Sequence, residues 1–174
     1  MNVVDQAGRV GRSRRRLLVA ALIPVVAVLA IRTLLVEPVT VSSDSMAPTI
    51  PPGAVVFLFK PAVAAGWIRN GVVVAFASPA DGRTAIKRVI AGAGQRVAIR
   101  DSELFVDDVA VAEPFIDHSR IDGTYFGPET VPAGSVFVLG DNRGVSIDSR
   151  DFGAVPLTAI QGTLVQGTLL TGQK

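Results

Sequence analysis

The feature that most constrains this chain is a run near its start. Residues 17–36 read LLVAALIPVVAVLAIRTLLV, 17 of 20 apolar, and follow a tail holding five arginines against one aspartate, Asp5. As a helix rising about 1.5 Å per residue the run is about 30 Å long, the thickness of a bilayer's hydrocarbon core. Pro24 is compatible with that reading because membrane helices tolerate internal proline. Arg32, four residues from the far end, reaches the headgroups along its aliphatic stem. Basic residues before the run and few after it put the N-terminus in the cytoplasm and the remainder outside. A cleaved secretory signal begins the same way, but no A-x-A-like site closes this run, and the run outlasts a usual signal core. The expectation is a basic tail over 1–16, an uncleaved transmembrane anchor over 17–36 and an extracytoplasmic domain over 37–174.

The formal net charge of +2 divides along the same boundary. The tail carries +4, and the residues after it hold 12 basic and 14 acidic side chains, or −2. No nucleic-acid partner is expected, since the basic character stays in the tail. The chain has no Cys, and its one histidine is His118. Disulfides, thiolate nucleophiles, Cys-ligated zinc and multi-histidine metal sites are therefore excluded, and neither metal nor cofactor is expected. A Ser-His-Asp mechanism would rest on His118, which sits in Asp117-His118-Ser119-Arg120 with no motif around it. What remains is chemistry by hydroxyls, carboxylates, Lys and Arg.

Beyond the anchor the text is strand-like: short β-branched runs broken by Gly and Pro. Expected strands are Ala54–Phe59, Val72–Phe76, Thr84–Ile90, Arg96–Arg100, Leu104–Val106, Ser135–Leu139 and Gly162–Leu170. No segment past the anchor keeps an apolar stripe of helical period over three turns, so a mainly β domain is the reading. Asp107-Asp108, between Leu104–Val106 and Val109–Val111, reads as a hairpin turn. Glu113–Pro132 reads as irregular.

Three polar segments carry the chemistry. Val41 to Ile50 reads VSSDSMAPTI; Ser, Asp and Pro also build ordinary turns. Thr84 to Ile90 reads TAIKRVI, and in a strand Lys87 shares a face with Ala85 and Val89. Apolar surroundings would lower the Lys87 pKa and leave a neutral amine as base; a strand-edge lysine with its head in water is the plainer reading. Gly140 to Arg150 reads GDNRGVSIDSR after an apolar strand. That is either a solvated loop or a network in which Asp148 and Arg150 hold Ser146 in place. Asp141 and Asp148 lack the spacing of a calcium loop.

Together the three segments resemble the bacterial type I signal peptidases, membrane-anchored serine endopeptidases with a Ser/Lys dyad. The family pattern S-x-S-M-x-P-T is matched by Ser43–Thr49, K-R-V-I by Lys87–Ile90, and G-D-N-R-x-x-S-x-D-S-R-x-x-G from Gly140 to Gly153. The order agrees, and the anchor lies just upstream of the first motif. Ser42 stands where the family usually has Pro, and Asn70-Gly71 where it commonly has Gly-Asp.

The resemblance implies an antiparallel β-sheet catalytic domain of signal-peptidase type with a small cap insertion, about residues 101–133. It implies Ser45 as nucleophile, Lys87 as general base, and an oxyanion site from the Ser45 N–H and the Ser43 hydroxyl. Ser146, Asp148 and Arg150 would support the dyad, and Met46 and Ile86 would line the substrate pocket. The implied substrates are the signal peptides of exported preproteins, cut after small A-x-A-type residues at the outer face of the cytoplasmic membrane. A phospholipid membrane is the other partner, and the sequence does not give an oligomeric state. Eight residues separate Val36 from Ser45, about 30 Å at full extension, which tethers the nucleophile near the membrane. Trp67 and Ile68 together are expected to dip into the interface. Two rivals are another Ser/Lys processing peptidase, such as the self-cleaving repressors, and a non-catalytic anchored β-domain that binds protein partners. The first would carry a DNA-binding region and no membrane span, and intact Ser45, Lys87 and Ser146 argue against the second.

Overall fold

In a computed structural model, residues 18–29, 34–116 and 125–165 are described. The chain divides into two units, Met1–Val36 and Glu37–Lys174. In the first, residues 18–29 are helical. Among the described residues no helix is long and apolar enough to cross a membrane. Residues 17 and 30–33 of the expected span lie outside them; residues 34–35 are helical, and Val36 opens a strand. His118 and the rest of 117–124 also lie outside the described residues.

The second unit is built of two antiparallel sheets. Strands β1 (Val36–Thr40), β2 (Val55–Phe59), β3 (Val73–Ala77), β4 (Thr84–Gly92), β9 (Ser135–Leu139), β10 (Val155–Pro156) and β11 (Ile160–Leu164) form the larger one, in the order β1-β2-β11-β3-β4-β9-β10. The smaller holds β5 (Arg96–Arg100), β6 (Glu103–Val106), β7 (Val109–Ala110) and β8 (Phe126–Thr130), in the order β7-β6-β5-β8. It therefore begins at Arg96, before the expected cap boundary at 101, because β5 pairs with β6 and β8 rather than with the larger sheet. Within the stretch read as irregular, Phe-Gly-Pro-Glu-Thr forms β8. Gly127 and Pro128 hid it, yet an edge strand accepts a proline that a central strand would reject.

The hairpin turn stands where the acidic pair placed it. Val106 faces Val109, and Asp107 and Asp108 have φ of 52° and 62°, the left-handed pair that a two-residue hairpin loop requires. Apolar alternation fills three clusters. One joins β4, β9 and the smaller sheet through Ile90, Val97, Leu104 and Phe137. A second lies around Val74, Phe76, Val89 and Val138. The third gathers Val41, Met46, Ile50, Val56 and Val73 beneath the first polar segment. Ile68 packs against the second cluster, which removes half of the expected membrane-dipping pair; Trp67 stacks on Phe59 at 5.4 Å and stays 55 % exposed.

Strand β11 runs between β2 and β3, and Gly162 lies close against β2. A Cβ there would lie 2.6 Å from the Phe59 carbonyl oxygen and 3.0 Å from Leu58 Cγ. Backbone cannot retreat as a side chain can, so Gly162→Ala should cost about 1–3 kcal/mol and lower the melting temperature by several degrees. A circular-dichroism melt matching wild type would show that the two strands part freely.

Candidate active site

Ser45 sits in a tight turn that its own neighbours build. Ala47 N–H donates to Asp44 O at 2.9 Å, and Ile50 N–H to Met46 O at 2.8 Å. Met46 is fully buried in the third cluster and anchors the turn, while Ser43 remains exposed and Ser45 half-buried. The Ser43 and Ser45 hydroxyls lie 3.2 Å apart.

Lys87 enters from β4, facing Val74 of β3. Its side chain is buried, 5 % exposed, and no ion pair of the described residues includes it. Burial pushes its pKa below the ordinary 10.5; Asp148 pulls it back up, Arg150 lowers it again, and Asp141 and Asp44 raise it. The lysine is thus interior, not the strand-edge residue of the plainer reading.

A cleft of ≈ 480 Å³ has Ser43, Ser45, Met46, Ile86 and Lys87 on its walls. It extends to Val39–Ser42 on one side and Thr84–Ala85 on the other, reaching Asp81 and Arg83 of the β3–β4 hairpin. Ile147, 66 % exposed, stands at its rim. Lys87 shares the cleft with Ser45 without a hydrogen bond to it among those of the described residues. Such bonds often tighten only when substrate is bound. Among the described residues no three His, Asp or Glu side chains gather as metal ligands.

The Gly140–Arg150 segment is a network rather than a solvated loop. Asp148 is fully buried, and both its oxygens are engaged. Oδ1 accepts from Arg150 Nε at 2.8 Å and Arg150 N at 3.2 Å; Oδ2 accepts from Gly140 N and Arg150 Nη2, both at 3.0 Å. Asp148 also caps the short helix Ser149–Phe152, with Asp151 returning the bond to Asp148 N at 2.9 Å. Arg150 Nη2 reaches back to the carbonyls of Arg143 and Ser146 at 2.8 and 3.2 Å. Burial opposes the Arg150 charge, but Asp148 outweighs it and raises the guanidinium pKa. Ser146 is buried, and its Oγ has no hydrogen-bond partner.

Several residues that the sequence left without a role tie this loop to the serine turn. Asn142 N–H donates to Ser45 O at 3.0 Å, and Asn142 Nδ2 to Asp44 O at 3.2 Å. A Cβ on Gly140 would fall 2.1 Å from Ser146 Oγ and 2.6 Å from Ser45 O, so glycine is what allows the approach. Asp141 takes a bidentate bond from buried Arg88, at 2.9 and 2.6 Å. Asn142 and Gly140 stood inside a recognised motif, whereas nothing local pairs residues 88 and 141.

Known proteins resemble this chain in sequence and fold. The family model described as signal peptidase, peptidase S26, matches residues 14–166. Signal peptidase I of Bacillus licheniformis is 33 % identical over 153 residues, covering 83 % of this chain and 82 % of its own. Thylakoidal processing peptidase 1 of Arabidopsis thaliana is 35 % identical over 157 residues, 84 % of this chain and 46 % of its own. A crystal structure of a signal peptidase I from Enterococcus faecalis V583 superposes with a TM-score of 0.51 at 31 % identity, over 56 % of this chain and 97 % of that one. The class is therefore a serine endopeptidase that removes signal peptides. Within that class, the chain belongs to the signal peptidase family, peptidase S26.

The Arg88–Asp141 pair gives a direct test of the loop's anchorage. Arg88→Met leaves Asp141 charged and buried without its partner, and should cost about 3–5 kcal/mol in chemical denaturation. Arg88→Met with Asp141→Leu should recover most of that loss. A double variant no more stable than the single one would mean the pair does not hold the loop.

Proposed function

We propose that this peptidase works through a Ser45/Lys87 dyad and an acyl-enzyme. The reading is carried by a buried lysine without an ion pair, its pKa lowered, opening onto the cleft that holds the Ser45 and Ser43 hydroxyls. A hydroxyl is a weak nucleophile until a nearby base takes its proton, and a desolvated amine is such a base. Lys87 Nζ removes the Ser45 Oγ proton as Oγ attacks the scissile carbonyl. The oxyanion then accepts from Ser45 N–H and Ser43 O–H; losing one such donor typically costs about 3 kcal/mol of barrier. The Lys87 ammonium passes its proton to the departing amine, leaving an ester on Ser45. Lys87 next deprotonates a water that attacks the ester, and the serine is released. Ser146, with an unengaged buried hydroxyl, orients the amine, and Asp148 and Arg150 hold Ser146.

The substrate binds as an added strand. From Thr84 to Lys87, β4 pairs with β3 on one side, whereas β9 joins its other side only from Arg88 onward. That open edge and the Val39–Ser43 wall offer main-chain partners to an extended peptide. Met46 and Ile86 narrow the floor, favouring small side chains of the A-x-A type. The apolar run over 17–36 and the basic tail before it support a single-pass anchor in the cytoplasmic membrane with the cleft outside.

Preprotein cleavage by the full chain in detergent micelles tests the assignment. Ser45→Ala should abolish turnover, Lys87→Ala should lower it by about 10²–10⁴-fold, and His118→Ala should leave it intact. An active Lys87→Ala or a dead His118→Ala would overturn the dyad. The rate should rise with pH through the lowered Lys87 pKa, because protonated lysine cannot act as base; a profile flat from about pH 5 to about pH 10 would exclude that role. The lowered pKa also has a stability consequence. Between the folded and unfolded values the unfolded chain binds more protons, so stability climbs with pH through that window, and the burial penalty is fully present below it. Lys87→Met should consequently melt no lower than wild type near pH 7.

A further inference from the structure

Outside the cleft the most unusual group is Glu113, a carboxylate in the segment between β7 and β8. Its side chain is 2 % exposed and pairs with Arg143, 3 % exposed, at 2.5 Å through Oε1. Its second oxygen, Oε2, is buried with no hydrogen-bond partner. A half-satisfied buried carboxylate is costly, and an apolar pair of the same volume would commonly serve stability as well or better. Its position explains what the charge holds. Arg143 Nε donates to Gly140 O at 3.0 Å, and the Arg143 carbonyl accepts from Arg150 at 2.8 Å. Two residues on, the Phe115 ring lies 4.1 Å from the Arg88 guanidinium that grips Asp141.

We infer that Glu113 is a positioning residue for the peptidase reaction, holding Arg143 and through it the turn that docks on the nucleophile. The inference rests on the reading that Ser45 and Ser146 act in the cleft. Without Glu113, Arg143 is a buried cation lacking its counter-charge, and the guanidinium swings toward water. Its bond to the Gly140 carbonyl goes with it. Gly140 then no longer lies against Ser146, and Asn142 N–H no longer meets Ser45 O. Asn142 Nδ2 likewise leaves Asp44 O, so the Asp44–Ser45 peptide, whose N–H is the oxyanion donor, loses its fixed orientation. The strand edge that binds substrate is untouched, so the effect falls on turnover rather than on affinity.

Two readouts on the full chain in detergent micelles test this. The first is amide hydrogen exchange by NMR, which needs no substrate. In Glu113→Leu the Asn142 amide should exchange about tenfold faster or more, with the β3 amides unchanged. The second is cleavage of a peptide with a small-residue site. There kcat should fall about tenfold or more while KM stays within about threefold. Glu113→Gln, which keeps an acceptor for Arg143 but not its counter-charge, should recover only part of both. Asn142 exchange at the wild-type rate overturns the inference, and so does an acceleration shared equally by β3, which would mean general loosening. If wild type fails to cleave, or Ser45→Ala cleaves normally, the dyad reading falls, and the exchange result still decides the role of Glu113.

Discussion

Close backbone approach at Gly140 is the constraint on which the rest of the site depends. With no side chain there, Ser146 Oγ and the Ser45 carbonyl oxygen occupy space that a Cβ would need, 2.1 and 2.6 Å from where it would lie. Three elements remote in sequence then meet at one point: the serine turn after β1, the lysine strand β4 and the polar loop after β9. Buried ion pairs hold that meeting, Arg88–Asp141, Arg143–Glu113 and Arg150–Asp148. Such pairs contribute little net stability, because desolvation offsets attraction. Their value here is directional, since the bidentate geometry of Arg88–Asp141 and Arg150–Asp148 fixes the loop's angle as well as its distance.

The same pairs set the electrostatics of Lys87. Asp148 and Asp141 both favour the ammonium, yet the lysine pKa is still lowered. Asp148 has both oxygens occupied, chiefly by Arg150, whose charge opposes that of Lys87. Asp141 is likewise answered by Arg88. With Asp148 and Asp141 each paired to an arginine, desolvation dominates. Among the described residues, an interior rich in charge thus leaves the Lys87 amine without an ion-pair partner, the condition for a lysine that acts as a base.

Much of the fold was legible along the chain. β5 and β9 begin and end where short β-branched apolar runs placed them, and the Asp107-Asp108 turn formed as its chemistry demands. These are local features, set by side-chain period and by which residues tolerate positive φ. The strands that escaped are β1, β8 and β10, two of them rich in Pro or Gly and one only two residues long. Their pairing partners, not their own propensities, make them strands.

By itself the sequence determined the chemistry available: no thiol, one histidine, and Ser45, Lys87 and Ser146 in three ordered motifs. It also determined that charge lies in the tail and apolar alternation in the body. Only the tertiary structure decided that Lys87 is interior, that Arg88 answers Asp141, and that Glu113 reaches Arg143. Those facts depend on pairs 53 and 30 residues apart. Burial and long-range charge pairing are properties of the packed chain, and no local pattern encodes which distant partner a buried charge will find.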